Sequence, residues 1–248
     1  MSRTLLVELF CEELPPKALH RLGGAFAQGI QDGLAKRSML SPESRAQSFA
    51  TPRRLAVTIT SVKAASEPRP VEVRLVPVAV GLDASGKATA ALTKKLEAAG
   101  LAGIGVAELK RRVDGKAEML FAHATTPAVP LAQALQGALD EALAALPIPK
   151  VMSYQLADGV TTVQFVRPAH GLVALHGGAT VAVRALGLES GRVVHGHRFQ
   201  GARDIELRDA EEYEARLLSE GGVVAGFEAR RGTILHELEA AGGRGNVS

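Results

Sequence analysis

Two short segments, about thirty residues apart, restrict the folds open to this chain. Phe165-Val166-Arg167-Pro168-Ala169-His170 and His195-Gly196-His197-Arg198-Phe199 set Arg and His among apolar, Gly and Pro neighbours. An arginine keeps its charge at every physiological pH and a histidine titrates near neutrality, so neither head group is buried cheaply without a partner. Strand-like sequence carrying such groups therefore needs either an internal carboxylate or carbonyl to meet them, or an anionic ligand.

Composition narrows the function classes. The chain has 248 residues, enough for one large or two small domains, with 46% hydrophobic and 22% charged residues, as in a globular protein. No apolar run approaches the roughly 18 residues of a membrane-spanning helix. At the N-terminus the apolar stretch Leu5-Leu6-Val7 is closed by Glu8, which argues against a signal peptide. The single cysteine, Cys11, excludes an internal disulfide and fits a reducing cytosol, so a cytoplasmic location is expected. A net charge of +3 permits an anionic partner without requiring one. Aromatics are only 4% of the chain, with no tryptophan, which disfavours a single-strand binder built throughout on stacked bases.

Along the chain, Thr4 to Phe10 reads as a strand and Glu12-Glu13-Leu14-Pro15-Pro16 as the opening of a helix, with acids suited to its dipole. Leu19, Leu22, Phe26, Ile30 and Leu34 recur at helical spacing and are predicted to face a core. Gly23-Gly24, Gly29 and Gly33 weaken that helix unless it packs closely, and a sheet is the expected neighbour. Ser48 to Val62 reads as one strand, which makes the opening β-α-β. Glu67-Pro68-Arg69-Pro70 is a linker-like break. Further on come an alternating run at Val71–Val80, a short helix at Ala88–Ala99, and a hairpin signalled by Asp114-Gly115. A helix from Pro130 to Leu146 is stopped by Pro147-Ile148-Pro149. Short strands from Thr161 to Arg184 surround a possible helix at Ala169–Leu175. Asp209 caps a polar helix to Leu218, and Val223–Ala241 forms the last one. The tail from Gly242 to Ser248 reads as a frayed end or a cut. Hairpins mixed with helices predict an α+β fold with mixed or antiparallel sheets and packed helices. Expected divisions are residues 1–65, 66–208 and 209–248.

Several motifs carry competing readings. Gly81-Leu82-Asp83-Ala84-Ser85-Gly86-Lys87-Ala88 approaches a phosphate-binding loop, but Ala88 lacks the hydroxyl that Mg²⁺ needs there, so a surface turn is favoured. His195 and His197, with His170 and His176, suggest a zinc cluster, yet no Cys, Asp or Glu stands at a recognised spacing. Adjacent Glu12 and Glu13 do not face each other as an acid/base pair. Cys11 lies near a helix start but without a helper histidine, and is taken as packing. Arg53 and Arg54 after Pro52, and Lys150 after Pro149, are cations on stiff backbone, suited to phosphates or simply solvated.

Taken together, the motifs resemble the bacterial glycyl-tRNA synthetase beta subunit family. The resemblance rests on Glu8 and Glu12-Glu13-Leu14-Pro15-Pro16, Ala50-Thr51-Pro52-Arg53-Arg54-Leu55-Ala56, and Pro147-Ile148-Pro149-Lys150-Val151-Met152. Phe165–His170 and Ser190-Gly191-Arg192 leading to Gly196-His197-Arg198-Phe199 complete it. It implies that this chain corresponds to the N-terminal third of a longer subunit. The central region, 66–208, would then include a fold related to the B3/B4 module of phenylalanyl-tRNA synthetase beta, and 209–248 the truncated start of a following domain.

The resemblance further implies a part in ATP-dependent attachment of glycine to tRNA, as one component of an aminoacyl-tRNA synthetase (a ligase of protein biosynthesis). ATP, Mg and glycine would be used on the alpha subunit of an alpha2beta2 heterotetramer, leaving no cofactor, metal or catalytic residue to this chain. Its expected partners are tRNA and the alpha subunit, with no membrane. The candidate nucleic-acid-binding residues are Arg53, Arg54, Lys150, Arg167, His170, His197 and Arg198. Two alternatives stay open: a docking module for the alpha subunit that scarcely touches RNA, and an editing-like module. For Arg167 and Arg198 an internal role, paired with acids such as Glu8 or Glu12, competes with phosphate contact.

Overall fold

The strand β1 (Ser2–Cys11) is buried on both faces from Thr4 to Cys11, so it must lie inside a sheet covered on each side. A computed structural model describes residues 2–115 and 117–242, and places β1 there. In chain order β1 is followed by α1 (Pro16–Lys36), β2 (Ala46–Thr51), β3 (Arg54–Lys63), β4 (Arg69–Pro77), α2 (Val78–Gly81) and α3 (Ala90–Ala98). Next come β5 (Lys110–Asp114), β6 (Ala117–Thr126), α4 (Leu131–Ala145), β7 (Met152–Gln155), β8 (Thr162–Phe165) and β9 (Ala169–His176). The chain continues through β10 (Ala179–Thr180), β11 (Arg184–Ala185), β12 (Leu188–Gly191), β13 (Val193–His195), β14 (Asp204–Glu206), α5 (Tyr213–Ser219) and α6 (Phe227–Gly242). The fold is α+β, as expected. Of the predicted tail from Gly242 to Ser248, Gly242 is the last residue of α6, and 243–248 lie outside the described residues.

Two compact units divide the described chain: residues 2–66 with 129–242, and residues 67–128. The first is built on a sheet of order β11-β12-β9-β1-β3-β2, with β10 beside β9. β1 runs antiparallel to both neighbours, while β12 joins β9 in parallel, so the sheet is mixed. Leu5, Val7, Leu9 and Cys11 point to one face, where α1 and α4 cover them. Leu6 points to the other, against Val173, Val194, Ile205, Tyr213 and Leu217. The five residues of α1 predicted to be core, Leu19 to Leu34, are all buried.

Three expectations are corrected in this unit. Ala169–Leu175 is not a helix but the central strand β9, pairing Leu172 with Leu9 and Leu175 with Leu6. A run apolar on both faces has no period to separate strand from helix, and only the flanking strands decide it. Ser48–Val62 is not one strand but the hairpin β2–β3, closed by Thr51 opposite Arg54 around Pro52-Arg53. Proline prefers the second position of a tight turn, so Pro52 turns the chain where a strand entrance was expected. The acids Glu12 and Glu13 stand before α1, whose first turn has none. The segment is held instead by backbone bonds from Glu12 N to the Pro168 carbonyl (2.9 Å) and Leu14 N to the Pro52 carbonyl (2.6 Å).

The glycines of α1 do allow close packing, though mostly against a helix. A Cβ at Gly33 would stand 2.6 Å from that of Ala138 and one at Gly29 2.8 Å from that of Ala142, both on α4; only Gly23 meets the sheet, at Ala50.

The second unit is the three-stranded sheet β4-β6-β5, whose Leu75, Leu120 and Ala122 pack on Leu92 and Leu96 of α3. Its phosphate-loop-like stretch is a turn. Asp83 Oδ1 accepts from Ser85 N (2.8 Å), Ser85 Oγ (2.7 Å) and Lys87 N (2.9 Å), so the loop's amides point at its own carboxylate, where a phosphate would have to sit. The Ser85 hydroxyl foremost holds that carboxyl below its ordinary range. Among the described residues no helix is long and apolar enough to cross a membrane.

Candidate functional site

The motif residues scattered along the chain gather at one end of the large sheet. β1 ends at Cys11, β3 starts at Arg54 and β9 starts at Ala169, and the antiparallel pairing brings these three strand ends side by side. Glu12 is their meeting point. Its Oε1 is 2.8 Å from His170 Nε2 and 3.5 Å from Arg53 Nη2. Arg53 also donates from Nε to the Cys11 carbonyl at 3.3 Å, and its guanidinium lies 4.7 Å from the centre of the Phe10 ring. Phe10 is shared: the His195 ring lies tilted against it with centroids 4.7 Å apart, and His195 Nδ1 is bonded to Asp204 Oδ1 at 2.7 Å.

Arg54 has a different fate from Arg53. Its side chain is buried with that of Glu8, at 3.6 Å between Nη1 and Oε2, and it donates from Nη2 to the His195 carbonyl. Tyr213 OH donates to the same Glu8 oxygen at 2.5 Å. Burial foremost, and then the Glu8 charge, pushes the Tyr213 hydroxyl well above its ordinary pKa. This triad lies on the face of the sheet opposite α1 and α4, walled by Leu6, Phe49 and Ala56. Tyr213 escaped sequence reasoning; a lone tyrosine in a polar helix gives no signal that its hydroxyl has a buried partner.

Arg167 is half-buried and turns to backbone rather than to an acid: its Nε donates to the Glu13 carbonyl at 3.0 Å and its Nη1 to that of Val166 at 3.0 Å. The carboxylates of Glu8 and Glu12 are taken by Arg54 and by Arg53 with His170. Beside Arg167 an open groove of about 650 Å³ runs along Glu12–Pro16 and Pro52. Lys150, His197 and Arg198 are exposed, and neither Lys150 nor Arg198 has a side-chain partner among the described residues. His197 Nδ1 accepts from the Phe199 amide at 3.3 Å.

The chemistry offered here is that of binding. Cys11 is fully buried, and that burial raises its thiol from 9.0 to about 12, far from a usable thiolate. His170 and His195 are each engaged by a carboxylate and His176 Nε2 lies 2.7 Å from the Val62 carbonyl, so the histidines go to separate partners rather than to one another. No group of three His, Cys, Asp or Glu able to hold a metal is found among the described residues.

Comparison with known proteins gives a consistent picture. Residues 5–247 match the sequence model of the family described as glycyl-tRNA synthetase beta subunit. The glycine--tRNA ligase beta subunit of Leptothrix cholodnii is 55% identical over 238 residues, which cover 96% of this chain and 33% of that protein. The protein of the same name from Acidovorax ebreus is 53% identical over 98% of this chain and 34% of its own length. That from Thiobacillus denitrificans is 53% identical over 97% and 34%. The chain thus spans about a third of the length of the curated relatives it matches.

Proposed function

The chain belongs to the glycyl-tRNA synthetase beta subunit family, and on that premise we propose that it is the N-terminal part of such a subunit, serving ATP-dependent attachment of glycine to tRNA by holding tRNA and by assembling with a catalytic alpha subunit. ATP, Mg and glycine are handled on that other chain, in an alpha2beta2 enzyme of the cytoplasm. The family match over residues 5–247 carries the reading. The geometry supports it: Arg53, Arg54, Arg167 and His170 form ion pairs and backbone bonds that stiffen a surface, and the thiol nearest them is inert. A fold related to the B3/B4 module of phenylalanyl-tRNA synthetase beta belongs to the same reading.

The RNA-facing set is narrower than the motif set. Arg54 is 2% exposed, paired with Glu8 and bonded to the His195 carbonyl, so it orders the sheet and leaves phosphate contact to others. Lys150 and Arg198 are exposed without described partners, Arg167 lines the groove, and Arg53 and His170 pair with Glu12, which lines it too. Phosphate contacts release counterions, so each one lost flattens the salt dependence of binding by roughly 0.7–0.9 log units per decade of salt. Lys150→Ala with Arg198→Ala in the full-length protein should weaken tRNA binding and flatten that slope while the melting temperature holds. Unchanged affinity and slope, with loss of co-purifying alpha subunit, would assign these cations to subunit docking instead.

A further inference from the structure

Phe199 is 84% exposed, more than any other large apolar side chain among the described residues. Single exposed apolar residues are common on protein surfaces and mean little alone. The way this one is mounted is less common. The loop that carries it is clamped to the turn after α5. His197 N donates to the Gly221 carbonyl at 2.7 Å, and Ala202 N to that of Glu220 at 2.8 Å. The clamp is close enough to require glycine. A Cβ at Gly196 would stand 2.2 Å from the Ala202 carbonyl oxygen, and one at Gly201 2.2 Å from the Gly221 carbonyl. Both sides of the loop thus press backbone against backbone, and between them the ring is held out into solvent.

Its surroundings are cationic and polar. The His197 ring is edge-on to it with centroids 6.2 Å apart. Arg198, Gln200 and Arg203 are exposed, and the side chains of Arg198 and Arg203 have no partner among the described residues. A protein-binding anchor sits within an apolar patch that excludes water, whereas here the ring's one ring contact is His197, and arginines stand one residue before it and four after it in the loop. An accessible π-face flanked by arginines matches an unpaired nucleobase with its adjoining phosphates, because stacking serves any base and the cations meet the backbone.

We propose that Phe199 is a stacking platform for an unpaired base of bound RNA, with His197 and Arg198 placed to meet the neighbouring phosphates. The inference rests on the tRNA-binding reading above and adds a contact of a different kind to it, one that carries no charge. That difference makes it separable by experiment.

In the full-length protein, Phe199→Ala, Phe199→Leu and Phe199→Trp are compared for binding to a tRNA transcript over a salt series, together with thermal melts. Loss of one stacked base should weaken binding by about 5- to 150-fold. Alanine and leucine should both show that loss with the salt slope unchanged, and tryptophan should retain wild-type affinity. Melting should not move, since the ring is exposed. Wild-type affinity in Phe199→Ala, while Lys150→Ala with Arg198→Ala still loses affinity, would overturn the stacking site and leave the tRNA reading standing. Absence of salt-dependent tRNA binding by the wild-type protein would remove both. A lowered melting temperature or a lost subunit in Phe199→Ala, with tRNA binding intact, would place the ring in a protein interface and overturn the proposal.

Discussion

Replacing Arg54 by methionine separates an internal role for this cation from a role in holding RNA. Glu8 is 1% and Arg54 2% exposed, so the carboxylate has almost no access to water once its partner is removed. Only the Tyr213 hydroxyl would then remain on the carboxylate, on Oε2, since Oε1 has no hydrogen-bond partner among the described residues. Breaking a buried pair from one side costs about 3–5 kcal/mol, since it strands the other charge. For a protein of this size each kcal/mol lowers the melting temperature by about 2–4 °C, so Arg54→Met should lose about 6–20 °C. Removing both charges, with Glu8→Leu added, should recover much of that loss, because buried ion pairs are often neutral against apolar replacements. The two tyrosines of the chain, Tyr154 and Tyr213, both lie in the unit built on the large sheet, so tyrosine fluorescence during urea unfolding reports on that unit alone. A cost for Arg54→Met below about 1 kcal/mol, or a double variant as unstable as the two single losses added together, would refute the reasoning. A flattened salt slope for tRNA without any loss of stability would return Arg54 to the phosphate contacts.

Cys11 links stability to alkaline pH: its thiol is raised from 9.0 to about 12, so its contribution is intact below pH 9 and is lost as pH climbs towards about 12. Urea midpoints should therefore fall more steeply with alkalinity in the wild type than in Cys11→Ala, and equal slopes would show that the thiol is not desolvated. Alanine is the better helix former by about 1 kcal/mol, yet Gly33→Ala should destabilise, because its Cβ would lie 2.7 Å from the Ala138 Cα. Gly24→Ala, on the open side of the same helix with nothing within 4 Å, should stabilise by about 0.5–1 kcal/mol; thermal melts of the two variants should move in opposite directions.

The parts of the fold that were legible in the sequence are those with one buried and one exposed face. The stripe from Leu19 to Leu34 shows this by its period; the hairpin in which Asp114 pairs with Ala117 was legible for another reason, its Asp114-Gly115 turn. The parts that misled are those without contrast. Ala169–His176 is buried on both faces nearly throughout, and neither helix nor strand leaves a mark in such a run. Pro52 reads equally as a strand entrance or a turn, and only the pairing of Thr51 with Arg54 decides between them. The site followed the same division. The motifs named the cations, but their partners lie up to 158 residues distant, as with His170 and Glu12, and Tyr213 reaches Glu8 across 205.

Arg53 and Arg54 show why motif membership alone does not assign a role. They are neighbours in sequence and identical in chemistry, but Arg53 occupies the turn and Arg54 the first position of β3, opposite Phe10. Strand alternation then sends the Arg54 side chain to the face that holds Glu8 and Tyr213, while the turn leaves Arg53 at the sheet's end with Glu12. The buried member reaches the His195 carbonyl, two residues before the loop of His197, Arg198 and Phe199. Its charge thus fastens the strand that leads into that loop to the centre of the sheet. A neutral side chain of equal volume would fill the space without fixing the carbonyl.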